Sequence, residues 1–444
     1  MKQDQQKINL EILSGKPDIK GSVQDIYRYD LNGRNTLLCR TSESGSVFDV
    51  GTIFSVPKSD VYRTITRHLI YMALNDPVTW QSIDENDIRE CFSDEEICSD
   101  LLNNKILDEL RRDGVATHHI GMVDKQTGLV HTNDIPKAPS NLVIVDEFPI
   151  FKPERFRLWG KFGWDYNKYF KQPKKVIALE NVFRLGSPGG SSLIQRYNAI
   201  LKEGGEEKAG LFLKSTGIVE KPTPWKKFAN MIYDCATKFE PEDRNLDWQE
   251  SIHLSGVPAE SYEMVIRVLT YCTVFVNKFF KELGFKLWDL KWEVGVDNNK
   301  IVVIDTMDPD SIRVTGTIDC DNRKCFIHFN KQAIRDYYRI IHEHWYASIN
   351  DAKKRSKTDS KGRDFLQIYK EGVKTEQYPE IPQYDNDFGQ IQSEKYAIMV
   401  GPFIKNLKKE DLNARIQGIM LKEINFYKTK GKVDRFLEIN SSEK

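Results

Sequence analysis

Asp289, Lys291 and Glu293 occupy alternate positions between Trp288 and Val296, and the residues between them are Leu290, Trp292 and Val294. A period of two places the three charged groups on one face of a β-strand and the apolar groups on the other. Alone, such a face is common on solvated edges. The next segment changes the balance, because residues 300–304 (KIVVI) are nearly all apolar and read as a strand buried on both faces, yet they run directly into Asp305, Asp308, Asp310 and Arg313. Carboxylates placed where a buried strand emerges are hard oxygen ligands for a divalent cation, and a cation bridging nucleotide phosphates is what phosphoryl transfer requires. Glu293 and Asp305 are the candidate metal ligands. They lie 12 positions apart, so facing one another across a hairpin predicts a loop with an odd number of residues, or a bulge, around Asn298 and Asn299.

Other reactive groups carry less. Cys320 and Cys325 have no second pair at zinc-site spacing, and His118-His119 or His342 with His344 is more often packed or surface histidine than a ligand set. The stretch Gly186 to Gly190 resembles a phosphate loop but has no following lysine.

The elements that must position these groups follow from the rest of the 444 residues, a length that predicts two or three lobes. Hydrophobic residues make up 40% and charged residues 29%, enough apolar material for a sizeable core. Lysine plus arginine equals aspartate plus glutamate at 65 each, which disfavours a nucleic-acid partner while leaving room for a local basic pocket. Seven scattered cysteines and an opening segment without an apolar run predict a reduced, cytoplasmic protein. The most apolar window, Val265 to Phe280, is short for a bilayer and reads as a buried helix, so no membrane association is expected.

Residues 21–56 alternate β-favouring runs with turns expected at Asn32-Gly33 and Ser44-Gly45. Helical spacing follows from 60 to 73, and residues 82–113 read as a surface helical excursion. Two β-rich stretches, 141–151 and 174–186, flank an aromatic, basic loop, and 203–224 reads as a turn-rich boundary or flap. A long helix from Tyr262 closes at Gly284, residues 351–393 read as a loop, and 394–428 as two helices. The expected division is 1–175 for a nucleotide-binding β-rich lobe, 176–350 for an α+β lobe with the metal and substrate sites, and 351–444 for a loop and helices packed on the body.

Read together, these blocks resemble the SAICAR synthetase family. That family's D-x-K-x-E-F-G strand, strand ending D-E and P-D-S-S-R are met here by Asp289 to Gly295, Ile304-Asp305-Thr306 and Pro309-Asp310-Ser311-Ile312-Arg313. Gly21 to Tyr27 resembles the nucleotide loop G-K-V-R-D-x-Y, Ser46 to Val50 the S-A-F-D segment, and Val56-Pro57-Lys58 the I-P-G-K-G turn. Glu180 to Arg184 with Gly189-Gly190-Ser191 resembles E-x-V-x-R followed by G-S; Thr237 to Glu240 with Asp243 resembles T-K-x-E; Lys331 to Tyr337 resembles K-Q-F-V-R-D-Y.

The resemblance implies an α+β fold with an N-terminal antiparallel β lobe, a larger α+β lobe and an ATP cleft between them. It implies an ATP-dependent ligase of purine biosynthesis that joins a phosphoribosyl-aminoimidazole carboxylate (CAIR) to L-aspartate, giving SAICAR, ADP and phosphate. Carried over residue by residue, Glu293 and Asp305 hold Mg²⁺ against ATP, and Lys291 offsets charge developing in transfer. Asp289 and Asp310 orient the imidazole nucleotide, while Arg184, Ser191 and Arg313 grip its 5′-phosphate. Lys20, Gly21, Ser22 and Val23 cover the ATP. The implied partners are these small molecules, with a homo-oligomer as a further expectation. Ser22 and Gln24 stand where the family has basic residues, leaving Lys20 as the adjacent substitute; the rival readings are a same-fold ligase for another nucleotide or amino acid and a non-catalytic nucleotide-binding relative.

Overall fold

The computed structural model describes residues 6–240, 243–298, 300–320, 322–359 and 362–442. Among the described residues, two large antiparallel sheets, two two-stranded ones and a set of helices make up an α+β architecture. The first sheet has six strands in the order Ile19–Lys20, Gln24–Leu31, Arg34–Thr41, Pro139–Asp146, His119–Asp124, Val130–His131. Asn32 and Gly33 join its first long hairpin with φ of 57° and 81°, the left-handed pair that matches the twist of flanking strands. Alternation sends Tyr27, Leu38 and Ile144 into one apolar layer, and Ile26, Cys39, Val143 and Val145 to the opposite, inner face.

Ser44-Gly45 is not a turn. Both residues belong to the strand Ser44–Ser46, which pairs with Thr52–Ser55, and the chain reverses through Phe48, Asp49 and Gly51, all at positive φ. Gly45 is needed for closeness, since a Cβ there would meet the Phe54 ring at 2.3 Å.

The helix Ser59–Asn75 packs against the inner face, with Ile65 and Leu69 against Met122 and the Thr64 hydroxyl 3.0 Å from that of Thr41. After the excursion of short helices between Pro77 and Asp113, the chain runs along the edge of the second sheet before re-entering the first at His119. There the Val303 amide donates to the Ala116 carbonyl at 2.9 Å and the His118 amide to the Val303 carbonyl at 3.0 Å, while the Asp146 amide donates to the His118 carbonyl at 2.7 Å. These bonds tie the two sheets together.

The second sheet runs Lys226–Thr237, Leu179–Ser187, Lys286–Asp297, Ile312–Cys320, Arg323–His328, and Lys286–Asp297 also pairs with Lys174–Val176 and Lys300–Ile304. Lys286–Asp297 is its backbone, bonded along its first half to Leu179–Ser187 and Ile312–Cys320 and along its second half to the two shorter strands. The helix Ala259–Glu282 covers the apolar face, where the buried Trp292 indole donates to the Thr273 hydroxyl at 2.9 Å. No helix among the described residues is long and apolar enough to cross a membrane.

Three connections differ from expectation. The aromatic, basic segment holds a two-stranded hairpin, Glu154–Leu158 with Lys161–Asp165. Residues 203–224 are mostly helix, because Ser192–Thr216 continues through a break at Gly205 (φ 71°) on the strength of its Glu, Lys, Ala and Leu residues. The polar region 351–393 contains the end of Glu343–Lys357, all of Phe365–Lys374 and the start of Asn386–Lys405. Charged, helix-favouring side chains were mistaken there for loop; Ser360 and Lys361 lie outside the described residues.

Asn386–Lys405 packs on Ser59–Asn75 and on Lys409–Thr429. At its centre Lys395, fully buried, ion-pairs with the equally buried Glu423 and donates to the His328 carbonyl at 2.7 Å. Removing one partner of such a pair leaves a buried charge uncompensated, which typically costs about 3–5 kcal/mol. Glu423→Gln should therefore lower the urea unfolding midpoint sharply, whereas the double change Lys395→Met with Glu423→Leu should restore most of it. Urea titration followed by tryptophan fluorescence measures both.

Candidate functional site

The charged face of Lys286–Asp297 points away from Leu290, Trp292 and Val294 and carries two clusters along one line, while a bulge at Trp288 turns that indole to Trp225 and Phe326 instead. At the far end, Glu293 is 3% exposed and is held between two lysines. Lys291 lies 2.9 Å from it, and Lys238 pairs with its other oxygen. Lys291 also reaches Glu180 at 2.7 Å and remains 30% exposed, so this cluster opens to one side. Burial opposes the charge on Lys291, but Glu293 and Glu180 override it and hold the ammonium well above its ordinary range. Burial likewise opposes the Glu293 carboxylate, and the two lysines hold it ionised.

Asp305 completes this cluster by a route other than the expected one. The register pairs Asp297 with Lys300 and Glu293 with Ile304, so only two residues connect the strands and the odd-loop expectation is wrong; Asn299 itself lies outside the described residues. Asp305 is the first residue beyond the strand and takes φ 72°, which turns its carboxyl back toward Glu293, whose charge acts on it. A non-glycine residue in that region carries strain of roughly 1–3 kcal/mol and persists only when neighbours over-determine it. Here the Tyr71 hydroxyl lies 2.8 Å from both the Ile304 and Asp305 carbonyl oxygens, and His118 Nε2 lies 3.2 Å from the latter. Burial first, then Glu293, push the Asp305 carboxyl upward.

Among the described residues no group of three or more His, Cys, Asp or Glu is placed to hold a metal by itself. Two adjacent hard carboxylates nevertheless fit Mg²⁺, which keeps several waters and takes further oxygens from phosphates. Their mutual repulsion, visible in the upward push on Asp305, is what a bound dication relieves.

The second cluster lies at Asp289, two residues before Lys291. Its Oδ2 is 3.3 Å from Arg184 Nη1 and 3.4 Å from Arg313 Nη1, so the two arginines meet on one carboxylate. Arg184 continues to Asp234 at 3.0 Å, which Arg196 shares at 2.5 Å. Three guanidinium groups thus face two carboxylates, and Arg184 Nε, Arg196 Nε and Arg313 Nη1 are buried without hydrogen-bond partners. Ser191 is the N-cap of Ser192–Thr216, yet its buried hydroxyl makes no capping bond. A helix start with a spare hydroxyl beside an arginine excess is a ready anion site. Gly190 at φ 74° lets the loop approach, for a Cβ there would sit 3.0 Å from Arg339 Nη1.

Asp310 stands apart from both clusters, 3.0 Å from Arg63 and 3.6 Å from Lys331, and these cations with Arg335 hold it low against its burial. Lys20 and Ser22 are exposed in the turn where the Gly21 amide donates to the Gln24 carbonyl at 3.0 Å, and Val23 is half-buried. Among the described residues no hydrogen bond or ion pair joins Lys20, Gly21, Ser22 or Val23 to either cluster. The structure therefore unites Lys291, Glu293 and Asp305, and separately Asp289, Arg184, Arg313 and, by position, Ser191. The reading from sequence gave no role to Glu180 or Lys238, although both sat inside matched blocks, and none to Arg63, Arg196 or Asp234, for which spacing carried no signal.

A profile of the SAICAR synthetase family matches residues 18–352. A putative phosphoribosylaminoimidazole-succinocarboxamide synthase of Archaeoglobus fulgidus is 28% identical over 252 residues, 55% of this chain and 66% of the relative. A phosphoribosylaminoimidazole-succinocarboxamide synthase of Thermoplasma volcanium is 28% identical over 180 residues, 39% of this chain and 57% of the relative. The chain thus spans less than two thirds of the curated relatives it matches. Among solved structures, SAICAR synthase from Saccharomyces cerevisiae complexed with SAICAR has a TM-score of 0.47 at 16% identity, covering 87% of this chain and 94% of the yeast chain. With three quarters of its length inside the family profile, this chain belongs to the SAICAR synthetase family.

Proposed function

We propose that the chain is an ATP-dependent ligase that joins the carboxylate of a phosphoribosyl-aminoimidazole (CAIR) to the amine of L-aspartate, releasing ADP and phosphate. One observation carries the reading: Lys286–Asp297 presents the arginine cluster at Asp289 and the carboxylate pair at Glu293 on one face, about 13 Å apart at 3.3 Å per residue. That separation suits a single phosphorylated nucleoside lying along the strand, its phosphate at the arginines and its carboxylate at the other end.

Arg184, Arg313 and Ser191 bind the 5′-phosphate, with Asp289 fixing both guanidinium groups toward it. Asp310, tied to Arg63 and Lys331, orients the far side of the nucleotide. Glu293 and Asp305 would hold Mg²⁺, which would supply positive charge to neutralise the triphosphate. Lys291, kept protonated by Glu180 and Glu293, offsets charge on the transferring group. The substrate carboxylate oxygen attacks the γ-phosphorus and ADP leaves. The amine of aspartate, having lost a proton, then attacks the acyl carbon, and phosphate departs with the C–O bond electrons. The turn from Lys20 to Val23 closes over the nucleotide.

ADP release by purified protein with Mg²⁺, ATP and CAIR, with and without aspartate, tests the reaction. Aspartate-dependent release is expected, and Glu293→Gln should abolish it while the protein stays folded by circular dichroism. ADP release indifferent to aspartate would point to another amine acceptor, and none at all, with CAIR still bound, to a non-catalytic relative.

The phosphate grip has its own measurement. Loss of a charged hydrogen bond typically costs about 1.5–3 kcal/mol, so Arg313→Ala should weaken binding of the phosphorylated nucleotide roughly tenfold to hundredfold and leave its nucleoside nearly untouched. Titration calorimetry showing equal loss for both ligands would make Arg313 a structural residue.

A further inference from the structure

Arg63, Arg67 and Tyr71 recur every four residues on Ser59–Asn75 and form one stripe facing the turn that carries Asp305, Asp308 and Asp310. Two of the three are fully engaged. Arg63 Nη2 lies 3.0 Å from both Asp308 and Asp310, and the Tyr71 hydroxyl caps the carbonyls of Ile304 and Asp305. Arg67 differs. It is 2% exposed, yet no carboxylate of the described residues lies within ion-pair distance, and its Nε and Nη1 have no hydrogen-bond partner. Its Nη2 lies 3.3 Å from His118 Nε2, a ring that burial and Arg67 itself hold neutral.

A guanidinium taken out of water without counter-charge is unfavourable, and proteins retain one where an anion is to be bound. The surroundings identify the place. His118 Nε2 lies 3.3 Å from Arg67 Nη2 and 3.2 Å from the Asp305 carbonyl oxygen, which the Tyr71 hydroxyl reaches at 2.8 Å from one turn further along the helix that packs on the inner face. Arg67 therefore lies at the seam between the inner face and the Glu293–Asp305 pair. The other arginines near the site, Arg63, Arg184 and Arg313, already have carboxylate partners.

We propose that Arg67 is the residue that receives the phosphate chain of the nucleoside triphosphate, through its unpartnered Nε and Nη1 groups. The inference rests on the ligase reading and adds to it the source of positive charge. The covering turn offers uncharged Ser22 and Gln24 and an exposed Lys20, so the cation comes from the helix behind the metal pair. The alternative role is a brace, in which Arg67 holds the Asp305 turn through His118.

Titration calorimetry of the full chain with Mg-ATP, Mg-ADP and adenosine, together with thermal melting without ligand, separates the two roles. Arg67→Gln should weaken Mg-ATP and Mg-ADP tenfold to hundredfold, leave adenosine within about twofold, and leave the melting temperature equal or higher because a buried uncompensated charge is gone. Ser22→Lys in the Arg67→Gln background should recover part of the ATP affinity, and Lys20→Ala in the parent should have a far smaller effect than Arg67→Gln. Equal losses for ATP and adenosine, or a lowered melting temperature with ATP binding intact, would establish the brace and overturn the proposal. If the parent binds Mg-ATP through Arg67 but ADP release ignores aspartate, the ligase reading fails while the phosphate contact stands. No Mg-ATP binding by the parent at millimolar ligand would overturn both.

Discussion

Glu293 is an ionised carboxylate inside the protein with a second carboxyl beside it, and that arrangement is untenable without Lys291 and Lys238. The rest of the second sheet follows from bringing those cations there. Lys291 shares the strand, two residues away on the same face. Lys238 comes from just beyond Lys226–Thr237, which reaches Lys286–Asp297 only because Leu179–Ser187 lies between them, and that intervening strand contributes Glu180 to keep Lys291 charged. The opposite face has to be dry and rigid for the charges to be worth anything electrostatically. Trp292, fully buried with its indole N–H bonded to Thr273 on the covering helix, provides that together with Leu290 and Val294.

The same strand sets the scale between the two anion sites, but the sheet alone does not fix Asp305. A left-handed residue just past a strand end is held by whatever packs over it, here Tyr71 from the first helix and His118 from the segment bridging the sheets. That helix is in turn held by Asn386–Lys405, which Lys395 fastens to the last strand of the second sheet. The C-terminal helices thus bear on the geometry of the carboxylate pair through a chain of contacts, although they contribute no group to it.

How much of this was legible varied with the kind of signal. Period-two patterning placed Asp289, Lys291 and Glu293 on one face correctly, and the buried strand running into Asp305 marked the site, because both are local properties of the chain. The hairpin register was misjudged for a physical reason: facing carboxylates were taken to require both residues in the ladder, whereas one positive φ at Asp305 does the same work from a two-residue connection. Residues 203–224 and 351–393 looked like loop because their faces are charged, and helices stabilised by packing along a narrow stripe show little contrast in composition. Arg67 had no signal at all. Its meaning lies in the carboxylate it lacks, which only the folded arrangement displays.

Charge placement explains why a chain with equal numbers of acidic and basic residues is suited to two anions. Each site is prepared differently. The arginines at Asp289 are partly neutralised in advance, three guanidinium groups to two carboxylates, so a monophosphate meets an excess of one charge in a prearranged fork. On the proposed reading, the carboxylate pair would repel a bare triphosphate and accept one only together with a dication, which would make nucleotide and metal binding mutually dependent. Arg67 beside that pair would, on the same reading, shift the balance toward the anion. A cation placed instead in the covering turn would remain exposed and be screened by salt within a Debye length of about 8–10 Å, whereas one buried behind the pair would be screened far less.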